Sequence, residues 1–253
     1  MKAATAPALA ITGATKRFGA VLALDDVELT VHHGEVLALL GDNGAGKSTL
    51  IKCLSGVHRL DAGTIHMDGR AVDIDSPATA RALGIETVYQ DLALFDNLNP
   101  VANFYAGREL AGPKWLPRGL RYMRMAGMAD TTVGVLSRLQ VGIADPQAQV
   151  GLMSGGQRQA IAVARAAAFA SQIVILDEPT AALGVRESRR VLDLIKRLRD
   201  EGRAVIVISH AMDHVIEIAD RAAVMRRGRK VGEEVPHPDS RQRIVALIVG
   251  GDD

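Results

Sequence analysis

Cysteine is almost missing from this chain: Cys53 is the single thiol in 253 residues. One cysteine allows no intrachain disulfide framework and no Cys-based metal site, and the expected role is a small buried apolar filler. An excess of charge of either sign is missing too. Lys and Arg number 30 against 29 for Asp and Glu, so nothing favours a polyanion surface and nucleic acid is not an expected partner. Long apolar runs are also lacking. The most apolar window, Ala160–Ala170, is interrupted by Arg165 and falls well short of the ~20 residues that span a bilayer. Met1–Ala10 has one Lys and no long apolar core, so a cleaved signal sequence is not expected. There is no internal repeat or low-complexity tract. These absences point to a soluble, cytosolic chain that can hold one large domain, or a main domain with an insert. Any membrane role must come through a partner.

What is present centres on Leu40-Gly41-Asp42-Asn43-Gly44-Ala45-Gly46-Lys47-Ser48-Thr49, a complete G-x-x-x-x-G-K-[ST] phosphate loop. Before it, Glu35–Leu40 has the length of a buried strand; after it, Ser48–Ser55 reads as the start of a helix. The glycines let backbone N–H groups curl round a phosphate, and the helix N-terminus adds a positive dipole end. Lys47 is the point charge for the outer phosphates and Ser48 offers a hydroxyl to Mg²⁺.

Further pieces of a site follow. Ile173–Leu176 is a continuous apolar run, suited to a strand buried on both faces, and it leads into Asp177-Glu178. The C-terminal end of such a strand is where a parallel sheet opens its ligand crevice. There Asp177 can reach Mg²⁺ and Glu178 can take a proton from an attacking water. Ser154-Gly155-Gly156-Gln157 opens a helix with a hydroxyl and two glycines, which reads either as a second anion site or as an ordinary N-cap. Gln90 and His210 each follow an expected strand, Ile85–Tyr89 and Ala204–Ser209, on the side where a nucleotide belongs. The other histidines, among them His32, His33 and His214, show no ligand spacing and are assigned no role.

Leu9–Phe18 and Val27–Val31 read as further strands, and Thr64–Met67 with Arg70–Val72 reads as a hairpin turning at Asp68-Gly69. Pro77–Leu83 is an expected helix capped by Ser76. Leu92–Val150 differs in kind. Pro100, Pro113, Pro117 and Pro146 punctuate it, and Val101–Leu110 and Thr131–Leu139 have helical spacing. From Ser154 the pattern alternates: helix from Gly156 to Phe169, strand Ile173–Leu176, helix Arg186–Asp200, strand Ala204–Ile208, helix Met212–Ala219, strand Ala222–Met225 and a last helix Ser240–Val249. Such alternation implies a mostly parallel sheet with helices on its faces.

In this order and spacing the residues resemble the ATP-binding subunits of ABC transporters, from about Leu9 to Gly232. Gly41–Thr49 matches Walker A, Gln90 the Q-loop, Ser154–Gln157 the signature, Ile173–Glu178 Walker B with its catalytic glutamate, and His210 the switch histidine. Phe18 matches the aromatic that stacks on adenine; a core Phe closing a strand is the other reading. The resemblance implies an α/β fold of ABC-type P-loop NTPase, with a mixed sheet core and an N-terminal antiparallel β subdomain. Residues 1–91 and 154–253 would form the nucleotide-binding core and 92–153 a helical subdomain. It also implies a head-to-tail dimer in which ATP with Mg²⁺, held by Ser48, Gln90 and Asp177, lies between Lys47 of one copy and Ser154 of the other.

Two positions depart from the family pattern. Met153 replaces the usual Leu before the signature, a volume-conserving change, and Gly184 in Ala181-Ala182-Leu183-Gly184 stands where an acid is usual. Gly41–Lys47, Gln90–Leu94, Asn103–Glu109 and Thr180–Val185 look like importers of monosaccharides such as ribose, xylose or fructose. Many of those fuse two such domains, so a single-domain homodimer is expected here. Its partners would be transmembrane permease subunits and, indirectly, a periplasmic sugar-binding protein, with the chain peripheral on the cytoplasmic side of the inner membrane. Leu94, Leu98 and Val101 are expected to help form a partner-facing surface, with packing in the insert's own core as the other reading. An ABC importer ATPase for a non-sugar solute, a soluble ABC protein acting on a cytosolic assembly and a P-loop kinase are the competing readings; the kinase leaves Ser154–Gln157 unexplained.

Overall fold

Along the chain, the long strands β1 (Leu9–Phe18) and β2 (Val21–Val31) are followed by the short β3 (Val36–Leu40) and helix α1 (Lys47–Leu54). Next come the hairpin β4 (Ala62–Met67) and β5 (Arg70–Val72), then α2 (Pro77–Ala82), β6 (Ile85–Val88), α3 (Pro100–Tyr105) and α4 (Met125–Arg138). After a 3-10 turn at Val150–Leu152, α5 (Gly155–Phe169) leads into β7 (Ile173–Asp177), α6 (Val185–Asp200), β8 (Ala204–Ile208) and α7 (Met212–Ile218). The hairpin β9 (Arg221–Arg226) and β10 (Arg229–Glu234) and helix α8 (Arg241–Val249) close it. This computed structural model describes residues 6–112, 122–143, 145–181 and 183–250. Met1–Thr5, Pro113, Pro117 and Ala182, all used in the sequence reading, lie outside the described residues.

The strands form two sheets, ordered β2-β1-β4-β5 and β10-β9-β3-β8-β7-β6. The first is antiparallel. The second is parallel from β9 to β6, with β10 antiparallel at its edge. Strands β3 and β8, and β7 as far as Leu176, are apolar without a break because both faces of this sheet are covered. Successive residues still point to opposite faces. Leu37, Leu39, Ile175 and Ile206 pack in one core with the antiparallel sheet and Leu50, Ile51 and Leu54 of α1. Val174, Leu176, Val205 and Val207 pack in another with α5 and with Val191, Leu194, Ile195 and Leu198 of α6. The spacing of those last four is that of one helix face. Ala38, Leu40 and Val224 meet Val215 of α7 and Ile244 of α8 in a third. Cys53 is buried in the first core, where desolvation pushes its thiol up to about 11, as suits an inert filler.

Four expectations change. Strand β2 starts at Val21 rather than Val27, because Val21–Asp26 pairs back on the end of β1 from Phe18↔Val21 onward. Strand β10 was not anticipated: Arg-Lys-Val-Gly-Glu-Glu is a polar edge strand whose signal is its turn, Arg227 at φ 50 and Gly228 at φ 82. The helix expected over Val101–Leu110 is the shorter α3, capped by Asn99 and ending at Tyr105, and α4 begins at Met125 rather than Thr131. Finally, Val101 is not on a partner-facing surface. It is 2% exposed and packs in the second core, against which half-buried Leu94 also packs; Phe95, at 55%, is the exposed apolar residue of that loop. Asn103, fully buried, builds the loop by accepting from the Phe95 N–H (2.8 Å) and donating to the Phe95, Leu98 and Asn99 carbonyls.

A buried ion pair ties the two sheets. Glu35 accepts from Arg221 Nε (2.6 Å) and from the His32 N–H (2.6 Å), while Arg221 also donates to the Thr30 carbonyl (2.5 Å). Removing Glu35 leaves the half-buried Arg221 guanidinium with only its longer contact to Glu233 (3.3 Å) as counter-charge and leaves the His32 N–H without its acceptor. Glu35→Ala is expected to lower unfolding free energy by about 3 kcal/mol, read from urea denaturation midpoints at unchanged slope.

Candidate nucleotide site

The loop from Gly41 to Gly46 carries the chain from β3 into α1, and at those two glycines the backbone leaves no room for a side chain. At Gly41, φ is +145°, and a Cβ would stand 2.2 Å from the Met225 carbonyl oxygen; at Gly46, φ is +101°, and it would stand 2.7 Å from that of Ala23. These glycines are thus required by strand packing beneath the loop as well as by access above it. The loop is closed by Ala45 N–H donating to the Asp42 carbonyl (3.1 Å), while the Asn43 N–H donates to Asp42 Oδ1 (2.8 Å). Lys47 is 7% exposed, and its ammonium donates to the carbonyls of Gly41 (2.7 Å) and Asp42 (3.0 Å). Desolvation lowers its pKa, against the raising influence of Glu178, Asp177 and Asp42. Ser48 is exposed and Thr49 half-buried in the first turn of α1, just past Gly46.

Two neighbouring strands end beside this loop. Leu39 and Asp177 both pair with Ile208, so β3, β8 and β7 run out at one level. Asp177 is the last residue of β7. Glu178 follows in a left-handed backbone conformation, φ 52°, with its N–H donating to the Ile208 carbonyl (3.0 Å) and its carbonyl accepting from Ala181 (3.1 Å). Such a conformation costs a non-glycine residue on the order of 1 kcal/mol or more, and surrounding contacts must hold it. One oxygen of Glu178, Oε1, is buried and makes no hydrogen bond; His210 Nε2 stands 3.3 Å from it. Burial raises both carboxyls. Lys47 and His210 oppose the rise at Asp177, and at Glu178 His210 opposes it while Asp177 adds to it.

The third group lies along α5. Ser154 caps that helix in a reciprocal box: its hydroxyl accepts from the Gln157 N–H (3.3 Å) and the Gln157 side-chain oxygen Oε1 accepts from the Ser154 N–H (3.0 Å). Ser154 and Gly155 remain exposed. A Cβ at Gly156 would meet Glu187 Cγ at 2.3 Å, so that glycine serves the packing of α6, a role the sequence reading missed. Gln90 lines a cleft of about 280 Å³ with Gly155, Arg158, Ala181 and Leu183. Ser154 and Gly156 line a smaller one with Gln140 and Glu187, and the phosphate loop borders neither. Phe18, at the end of β1, is 43% exposed and packs T-shaped with His58 (ring centroids 5.0 Å apart), so it is no core residue.

Oxygen donors suit a hard cation: the Ser48 hydroxyl, the Asp177 carboxylate and the Gln90 amide oxygen are of that kind. Among the described residues no group of three or more His, Cys, Asp or Glu could hold a metal alone. A cation here would therefore need oxygens from bound phosphate to complete its shell.

A protein-family model described as ABC transporter matches residues 24–181. The chain belongs to the ABC transporter family. As a member it is an ATP-binding, ATP-hydrolysing cassette. It is similar to the fructose import ATP-binding protein FrcA of Rhizobium meliloti, 45% identical over 96% of this chain and 94% of that one. It is likewise similar to the xylose/arabinose import ATP-binding protein XylG of Sulfolobus acidocaldarius, 46% identical over 87% and 85%. Among solved structures, a nucleotide-free ATP-binding cassette from an ABC transporter superposes at a TM-score of 0.82, with 23% identity, over 96% of this chain and 97% of that one. A dimeric cassette bound to ADP and Pi does so at 0.73, with 21% identity, over 90% and 99%. At that identity the two structures speak for the fold. No helix among the described residues is long and apolar enough to cross a membrane.

The raised Glu178 carboxyl of this ABC cassette has a measurable consequence. Its folded-state pKa lies above the ordinary value of 4.5, so its contribution to stability is full below that value and is lost as pH rises through the folded pKa. Without nucleotide, Glu178→Gln is expected to melt higher than the parent near pH 8 and to converge with it toward about pH 4, as followed by thermal denaturation at the two pH values.

Proposed function

We propose that this cassette is the ATPase subunit of a monosaccharide importer, working as a head-to-tail pair on the cytoplasmic face of a permease. In this reading residues 1–91 and 154–253 form the nucleotide-binding core and 92–153 the helical subdomain that meets the permease. Phe18 stacks on adenine, the N–H groups from Asp42 to Thr49 cradle the phosphates, and Lys47 leaves the Gly41 and Asp42 carbonyls to neutralise the outer ones. Ser48, Asp177 and Gln90 hold Mg²⁺, which when bound offsets the phosphate charge. Glu178 draws a proton from the attacking water, and His210 holds the γ-phosphate and orients that water. Ser154, Gly155 and Gly156 of a second copy close the site, which accounts for their standing apart from the phosphate loop within one chain.

The observation that carries this reading is the pairing of Glu178 Oε1 with His210 Nε2 at 3.3 Å, at the strand ends beside the Lys47 loop. A carboxylate facing an imidazole at this distance, beside the loop that carries Lys47, is placed to take a proton from a water attacking a phosphate held there. The fructose and xylose/arabinose import names of two relatives support a sugar as the solute. Those names differ at nearly equal identity, which supports sugar choice residing in the permease and an exterior binding protein. A groove of about 310 Å³ beside β6, lined by exposed Phe95, by Phe104 and by the Glu86–Arg108 pair (2.6 and 2.8 Å), is our candidate for the permease contact.

With ATP and Mg²⁺, Glu178→Gln is expected to bind nucleotide as the parent does, to lose hydrolysis by about a hundredfold or more, and to elute as a dimer in size-exclusion chromatography. Parent-level hydrolysis, or a variant saturated with ATP that stays monomeric at high concentration, overturns the proposal.

A further inference from the structure

His214 has no metal-ligand spacing, and nothing in the catalytic reading uses it. It lies on α7, four residues after His210. Its Nδ1 shares a hydrogen bond of 3.0 Å with Oγ1 of Thr180, two residues after Glu178. Thr180 is 8% exposed and His214 half-buried, and the contact is set among Ala38, Leu192, Val207, Ser209 and Val215, around about 10 Å³ of free space. That volume is at the lower limit for one water, so solvent does not readily stand in for a lost partner. A hydrogen bond in such surroundings is stronger than one in water, and losing half of it is costly.

The bond also spans two segments that need holding. On one side is the strained turn in which Glu178 takes φ 52° and Ala181 closes back on it. On the other is the segment that leaves β8 through Ser209 and His210 and enters α7, with the Ala211 N–H donating to Ser209 Oγ (3.1 Å). On the near side the two segments are joined by the Glu178 N–H to Ile208 carbonyl bond (3.0 Å). The Thr180–His214 bond is a second tie on the far side. Two ties fix the relative placement of Glu178 and His210, where one would leave a hinge.

We propose that His214 is a positioning residue, holding Thr180 so that the Glu178 carboxylate and the His210 imidazole keep their facing geometry. The inference rests on the catalytic reading of Glu178 and His210, and it predicts a turnover effect without a binding effect. His214→Leu, which fills the space without a polar atom, is expected to lower kcat for ATP hydrolysis about tenfold, with KM for ATP changed by less than about twofold. Thr180→Val is expected to do the same, and the double variant to be no worse than either single one, since both remove one bond. His214→Asn, whose amide reaches the place of Nδ1, and Thr180→Ser are expected to recover most of the rate.

Hydrogen exchange gives a readout that needs no turnover: the Ala181 amide should exchange faster in His214→Leu, while that of Ile206 in the sheet should not. Parent kcat in His214→Leu, multiplying effects in the double variant, or unchanged Ala181 exchange each overturn the proposal. So does a KM that rises together with the fall in kcat. A fully active Glu178→Gln would instead defeat the catalytic reading, leaving Ala181 exchange to judge the tie alone.

Discussion

Ile208 has two strand partners, Leu39 on one side and Asp177 on the other. Parallel strands in register end together, and whatever follows each end is delivered to the same edge. Beyond β3 that is the phosphate loop, beyond β7 the acids Asp177 and Glu178, and beyond β8 the segment with His210. A shift of one residue in either pairing would turn every side chain to the other face and separate these groups. The register is held because each face has its own core to fill: Ile175 and Ile206 on one side, Leu176 and Val207 on the other.

What collects at this edge is a set of charges short of water. Burial lowers the pKa of Lys47 and raises those of Asp177 and Glu178, one cause acting in opposite directions on base and acid. Each ionised form is disfavoured by lost solvent and only partly compensated by its neighbours. The ammonium accordingly turns inward to two loop carbonyls, and Glu178 turns a buried oxygen toward His210. A bound polyphosphate and its counter-ion would supply the partners these groups lack, so the site is arranged for a ligand of that charge rather than for the stability of the empty fold.

The phosphate loop, the Walker B acids, the capped start of α5 and the Asp68-Gly69 hairpin turn were legible because each is a local pattern. A glycine forced to positive φ or a hydroxyl at an N-cap acts on its own few residues. The alternation after Ser154 was legible for a related reason: runs buried on both faces and helices with one apolar face leave distinct periodicities. Strand β10 was missed because an edge strand has one neighbour and no core to fill, so Arg-Lys-Val-Gly-Glu-Glu carries no apolar signal. Val101 was misplaced because apolar residues on a short helix look alike whether they face a partner or their own core.

By itself the amino-acid order determined which chemistry the chain carries and on which kind of element each group sits, since those depend on neighbours in sequence. The tertiary structure alone decided which distant groups meet: Glu187 in the space beside Gly156, His210 against Glu178, Thr180 against His214, Met225 beneath Gly41. Such contacts come from strand register and helix packing, which bring together residues with no shared local pattern, and no property of either residue alone foretells its partner.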